Sequence, residues 1–189
     1  MRNKKIEHYL SRLNMTDIEG NQINIGKGKK VWLSIFREAN CPFCNMRVYE
    51  MTQHAQHFLK SDIQIVAVFK SSVSDTRKFI ARQPRPFKII ADPEALIYQG
   101  LHLRSSFMAK LKAVILHMPR LLQGLSITGI RGLLTTSQLP ADLLLSEEGK
   151  IVQSYTAKDI SDHIPFSDVE SFMKQRSVQG TASSPLMST

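Results

Sequence analysis

The chain has 189 residues, 42% hydrophobic and 22% charged, a balance that folds around a core instead of staying disordered. Its formal net charge of +9 favours anionic partners, but no zinc-finger spacing, RNA-binding signature or Lys/Arg run longer than a pair such as Lys29-Lys30 accompanies it, and no nucleic acid is expected as partner. Two cysteines cannot build the disulfide framework of a small secreted protein.

The N-terminal stretch Met1–Asp17 is basic and has no continuous apolar run, so no signal peptide is expected. No segment approaches the roughly 20 apolar residues of a membrane-spanning helix. The expected localisation is cytoplasmic. Met15–Gly26 alternates around Gly20-Asn21 and predicts a β-hairpin. After the polar turn Lys27–Lys30, Val31–Phe36 has the length and apolar character of a buried central strand. A helix is predicted from Pro42 onward, with Met46, Tyr49, Met51, Phe58 and Leu59 as its apolar stripe.

Ile63–Phe69 is the next strand, Ser74–Ala81 a short helix, Lys88–Pro93 a strand running into a turn, and Glu94–Gln99 a helical turn. Alternation of strand and helix implies a parallel α/β core. Asp142–Leu145 and Ile151–Tyr155, joined by Ser146–Lys150, predict an antiparallel hairpin. Pro165–Arg176 is a closing helix with Asp168 and Glu170 near its start. The whole reads as one domain over residues 1–176, followed by a flexible Ser/Thr/Gly-rich tail over 177–189.

Residues 101–138 form an insertion. Leu101–Pro140 holds no acidic residue, and Arg104, Lys110, Lys112, Arg120 and Arg131 are basic. Phe107, Leu111, Val114, Ile115, Met118, Leu122 and Leu125 recur at helical spacing, giving an amphipathic basic helix interrupted near Pro119. Packing on the domain, or on a second copy in a homodimer, is the first reading of this helix. Contact with a membrane surface or an acidic partner is the second.

Cys41-Pro42-Phe43-Cys44 follows a buried strand at the mouth of a helix. A bond between the two cysteines closes a tiny loop and contributes little stability, so its purpose is chemical. Unpaired amide N–H groups and the positive end of the helix dipole favour a thiolate at Cys41. Cys44, one turn later, is within disulfide reach and better shielded. The expected mechanism is two-step exchange, with Cys41 attacking and Cys44 displacing the product. His54 and His57 suggest a zinc half-site, but Cys44 and His54 are about 15 Å apart along one helix, beyond ligand reach. No metal is expected, and the histidines are read as surface or packing residues. Arg37 and Arg47 flank the site as thiolate-stabilising or substrate-positioning groups, or as ordinary solvated arginines.

These motifs, in this order over about Met15 to Met173, resemble the thioredoxin-like superfamily and its peroxiredoxin-like (alkyl hydroperoxide reductase/thiol-specific antioxidant) branch. The resemblance implies a central mixed sheet flanked by helices, with an N-terminal β-hairpin and a helical insertion. It implies catalytic Cys41 and Cys44, and a substrate-binding surface from Leu139, Pro140, Pro42, Phe43 and Arg47, with Pro140 at the place of the superfamily's cis-proline. It implies no bound cofactor, only an external thiol reductant such as thioredoxin or glutathione. The partners are a protein disulfide or peroxide as substrate and a reducing protein.

Two patterns depart from the family. The peroxiredoxin motif P-x-x-x-[TS]-x-x-C is met neither from Cys44, which gives Cys41 and Arg37, nor from Cys41, which gives Glu38 and Ser34. The buried strand acid of thioredoxin is missing from Val31–Phe36, which leaves Glu38 as the nearby proton acceptor. Cys-Pro-Phe-Cys is also similar to the glutaredoxin Cys-Pro-Tyr-Cys site, without the Gly-Gly-x-Asp glutathione pattern. The leading expectation is therefore a thiol–disulfide oxidoreductase. A peroxidase acting on hydrogen peroxide or organic hydroperoxides is the alternative, with a non-enzymatic redox switch or adaptor as the third reading.

Overall fold

The computed structural model describes residues 2–60, 62–82, 84–103, 114, 116–128 and 137–175. A helix α1 (Arg2–Arg12) precedes two short strands, β1 (Met15–Thr16) and β2 (Gln22–Ile23). Strand β3 (Lys30–Ile35) leads into helix α2 (Pro42–Leu59), then β4 (Ile63–Phe69), α3 (Val73–Phe79), β5 (Lys88–Ala91) and α4 (Leu96–Gly100). Helix α5 (Met118–Thr128) comes next, followed by β6 (Ala141–Leu145), β7 (Ile151–Thr156) and α6 (Phe166–Lys174).

The main sheet has five strands in the order β5-β4-β3-β6-β7. β3, β4 and β5 run parallel, as the strand–helix alternation predicts, while β6 and β7 are antiparallel. Period-two alternation divides the strands between two cores. Trp32, Ile63, Ile65, Ala67, Phe69 and Leu144 face one side with α2. Val31, Leu33, Ile35, Val66, Val68 and Leu143 face the other, with Ile6 and Leu10 of α1 and Ile97 and Tyr98 of α4. The mixed, helix-flanked sheet is the architecture expected.

Several local expectations change. The hairpin around Gly20-Asn21 pairs over two residues per strand only, Met15 with Ile23 and Thr16 with Gln22. Its turn is closed by Asp17, whose carboxylate accepts the N–H groups of Glu19 and Asn21 at 3.0 and 2.8 Å. The buried stripe of α2 runs through Cys44, Val48, Met51, Ala55 and Phe58, while Tyr49 is 54% exposed. Counting i+4, i+7 and i+11 from Cys44 gives this face, and Tyr49 falls off it. The superfamily's cis-proline is not reproduced: among the described residues no peptide bond is cis, so Leu139–Pro140 is trans.

The basic N-terminus also forms a helix, α1, whose sequence signal is the pair Ile6 and Leu10, one turn apart and both buried. It docks on α4, with the Tyr9 hydroxyl donating to the Leu96 carbonyl at 2.7 Å. Gly100 makes that approach feasible, since a Cβ there would lie 2.0 Å from the Tyr9 ring. Gly100→Ala is expected to destabilise the protein by about 1–3 kcal/mol through this overpacking. Urea unfolding measures it, and Tyr9→Ala in the same background should recover part of the loss.

Of the insertion, Val114 and Leu116 are helical, His117 is a turn, and α5 begins with Pro119 in its first turn, consistent with a break near that proline. α5 packs along α2, with Leu121 buried and Leu125 partly buried against the same core as the two cysteines. Phe107, Leu111, Ile115, Arg104, Lys110, Lys112, Arg131 and the tail 177–189 lie outside the described residues. No described helix is long and apolar enough to cross a membrane.

Candidate active site

Strand β3 ends at Ile35, and the six residues to Cys41 are stitched to the end of β4. Phe36 N–H donates to Val68 O at 2.9 Å, Lys70 N–H to Arg37 O at 3.1 Å, and Ala39 N–H to the Ser71 hydroxyl at 2.9 Å. Cys41 N–H donates to Glu38 O at 3.0 Å. The Asn45 side-chain amide then reaches back to Ala39 O at 2.7 Å and Cys41 O at 3.0 Å, fixing the turn from the helix side. Cys41 is the N-cap of α2 with extended backbone (φ −70°, ψ 123°), and Pro42 occupies the first helical position, where its missing N–H costs no bond.

Both cysteines are free thiols with no exposed surface. Arg37, itself 1% exposed, donates from Nη1 to Cys41 Sγ at 3.2 Å. Burial pushes the Cys41 thiol up, but the hydrogen bond from the Cys44 side chain, the Arg37 charge and the Cys44 N–H outweigh it and draw its pKa to about 6. Glu38 opposes this weakly by its negative charge. Cys44 is pushed the other way by burial and by the neighbouring Cys41 thiolate. One proton is thus shared unequally, giving a nucleophile at Cys41 and an acid at Cys44.

Of the two flanking arginines, Arg37 is the one at the thiol. Arg47 donates from Nη2 to Ile164 O at 2.6 Å, lies 3.9 Å over the Phe166 ring and pairs with Glu50 at 3.5 Å. Neither is an ordinary solvated arginine, both being buried. Pro42, Phe43, Leu139 and Pro140 are buried too, and Phe43 and Leu139 belong to the apolar cluster that encloses Cys41 and Cys44. His54 and His57 are exposed, and the His54 ring stacks on Phe166 at 4.3 Å. Among the described residues, no group of three or more His, Cys, Asp or Glu is arranged to hold a metal ion.

A buried acid stands on the strand beside β3. Asp142 on β6 pairs in register with Ser34 on β3 and is fully buried. It accepts the Trp32 indole N–H at 3.0 Å and the Ile164 N–H at 3.1 Å, and its Oδ2 is 3.4 Å from Nδ1 of buried His163. Burial raises its pKa, but the hydrogen bond and charge of His163, with Ser34 and Arg47, bring it below the usual carboxylate value. His163 also lies 4.9 Å, ring to ring, from Phe36, so it enters the core beside the site. Asp142 stands two residues after Pro140 in an apolar run, and that isolation is the one signal the sequence carries for it.

The model of the AhpC/TSA family matches residues 6–154. The chain belongs to that family. Its fold is similar to peroxiredoxin Q of Xanthomonas campestris, at TM-score 0.59 and 14% identity over 86% of this chain and 88% of the other. It is also similar to PrxQ of Xylella fastidiosa, at TM-score 0.61 and 14% identity over 87% and 88%. A third similar structure is a putative thiol:disulfide interchange protein DsbE from Chlorobium tepidum, at TM-score 0.55 and 16% identity over 85% and 89%. No curated protein sequence matches the chain. Membership of the AhpC/TSA family makes this an antioxidant-type thiol enzyme, and it moves peroxide reduction ahead of the disulfide exchange that the Cys-Pro-Phe-Cys spacing alone puts first.

Proposed function

We propose that this AhpC/TSA protein is a thiol-dependent peroxidase in which Cys41 attacks the peroxide and Cys44 resolves the product. The observation that carries this reading is the Arg37 guanidinium 3.2 Å from a thiol drawn to a pKa of about 6. The Cys41 thiolate attacks one peroxide oxygen and the O–O bond breaks. Sulfur keeps that oxygen as sulfenic acid, and water or an alcohol leaves after taking up one proton. The thiol of Cys44 then condenses with the sulfenic acid, forming the disulfide and releasing water. Two thiols of an external reductant, or one dithiol, restore the starting state, and no bound cofactor takes part.

In this scheme Arg37 holds the thiolate and also places a positive charge where the departing oxygen becomes negative, the part that the Thr/Ser position plays in the family motif. Burial favours the small substrate: hydrogen peroxide or a slender hydroperoxide needs less room at a wholly enclosed sulfur than a protein disulfide does. The proposed setting is the cytoplasm, whose thiol reductants would return the disulfide to the dithiol. Disulfide exchange is the second reading, favoured by the two-residue spacing between the cysteines and using them in the same roles.

The test is the second-order rate at which fully reduced protein forms the Cys41–Cys44 disulfide with equimolar hydrogen peroxide at pH 7. Acid quenching and mass spectrometry read it, with Cys41→Ser as blank. A rate orders of magnitude above that of a free thiol is expected, and Cys44→Ser should accumulate a sulfenic acid that dimedone traps at Cys41. A rate near that of a free thiol would put disulfide exchange in front.

A further inference from the structure

Away from the thiols, a cavity of about 630 Å³ opens beside the edge strand β5, in the size range of small-molecule sites. It lies at the beginnings of β4 and β5, whereas the cysteines follow the end of the parallel strand β3. The length of β4 separates the two, roughly 20 Å at about 3.3 Å per residue. Its lining is mixed: Ile18, Ile63, Ile65, Phe87 and Ile89 supply an apolar part, and Asp17, Glu19, Gln64 and the basic side chains a polar one. Four cations stand around it, and they are not equivalent.

Lys29 is paired with Asp62 at 2.6 Å, and Lys88 with Asp17 at 3.0 Å. Arg77 and Arg85 have no carboxylate partner, and all 16 acidic residues of the chain are among those described. Arg77 donates from Nη2 to Ile18 O at 2.7 Å. Arg85 donates from Nε to Ile80 O at 2.9 Å and from Nη1 to the Thr52 hydroxyl at 3.3 Å, neutral acceptors that fix the fork without answering its charge. Arg85 is half-buried, and that burial lowers its pKa, while Arg77 is exposed to solvent. Glu19, the other acid at the mouth, is exposed, with its carboxylate 3.5 Å from the Asn21 amide.

The cleft thus combines two guanidinium groups that have no carboxylate partner with an isoleucine and phenylalanine surface, which suits a ligand with an anionic head and an apolar body. We propose that this cavity binds a single-chain carboxylate with an aliphatic body, of the medium-chain fatty-acid class, with Arg85 and Arg77 holding the head. The carboxylate supplies the planar acceptor that the guanidinium fork matches, and the chain covers the isoleucine and phenylalanine walls. The site uses neither cysteine and stands apart from the peroxide chemistry.

Calorimetric titration of the full chain with decanoate, decanol and acetate tests this. Decanoate is expected to bind at one site per chain, decanol about tenfold or more weaker, and acetate without measurable heat. Shortening the chain to octanoate should cost about fourfold per methylene removed. Arg85→Gln should weaken decanoate about tenfold or more and leave decanol unchanged. Ala81→Trp, which fills the cavity from its lining, should weaken both, and it decides the matter if Arg85→Gln fails to fold in urea controls. Cys41→Ser should bind as the parent does, so failure of the peroxidase reading leaves this result intact. Equal affinity for decanoate and decanol, an unchanged Kd in Arg85→Gln, or no heat from decanoate would overturn the proposal.

Discussion

Replacing Arg37 by methionine is expected to move the thiol of Cys41 from a pKa of about 6 into the ordinary cysteine range and to slow its reaction at pH 7 by about thirty- to a hundredfold. Methionine keeps most of the buried volume and removes the charge and the Nη1 donor 3.2 Å from the sulfur. What remains around Cys41 is burial and the Glu38 charge, both raising the pKa, against the Cys44 side chain and N–H, which lower it. At a pKa of about 6, roughly nine in ten molecules carry the thiolate at pH 7; at about 8.5 to 9, only one to three in a hundred do. Because Cys41 is an acid whose pKa rises in the variant, its rate–pH profile shifts to higher pH, and the rates converge near pH 10. Alkylation by iodoacetamide between pH 5 and 10 reads the midpoint independently of peroxide. Arg37→Lys should keep part of the depression, since it retains the charge and loses the fork. A midpoint still near 6 in Arg37→Met would assign the thiolate to the helix terminus and Cys44 alone.

The second large effect is on stability. Asp142→Leu is expected to cost about 3–5 kcal/mol, because it strands the Trp32 indole N–H, the Ile164 N–H and His163 together in the core. Asp142→Asn should cost less, about 1–3 kcal/mol, as one amide face still accepts while the other presents N–H groups to a donor. The folded-state pKa of Asp142 lies below its unfolded value of 3.8. Its carboxylate therefore contributes stability that is fully present above 3.8 and lost as pH falls through the folded value. The gap between parent and Asp142→Asn in urea should accordingly be widest near neutrality and narrow below pH 3.8. An equal gap at pH 7 and pH 3 would remove the carboxylate charge from the explanation.

What the sequence made legible follows the range over which each signal acts. Val31–Phe36 and Ile63–Phe69 are continuous apolar runs bounded by polar turns, and they form the central parallel pair within a residue of the expected ends. Pro42 marks the first turn of α2 because its missing N–H is tolerated only there. Local geometry also gave the order of the two thiols, with the pKa of Cys41 lowered and that of Cys44 raised, but not the difference in shielding, since both are fully buried. The choice between Arg37 and Arg47 was not local: both flank the motif, and only the stitching of residues 36–41 to β4 turns Arg37 onto the sulfur. Asp142 was missed for a related reason. Its partner Trp32 is 110 positions earlier, and their meeting depends on the β3–β6 register.

The strand order has a bearing on how the chain comes into being. β3 lies between β4, which follows it closely, and β6, which begins at Ala141. Cys41 and Cys44 thus leave the ribosome about a hundred residues before the strand that completes their side of the sheet. At about 5–20 residues per second, that is an interval of roughly 5–20 s in which a half-built sheet leaves both sulfurs in the open. The part of the enclosure around Cys41 and Cys44 that Leu139 and Leu144 supply is therefore added only when β6 docks.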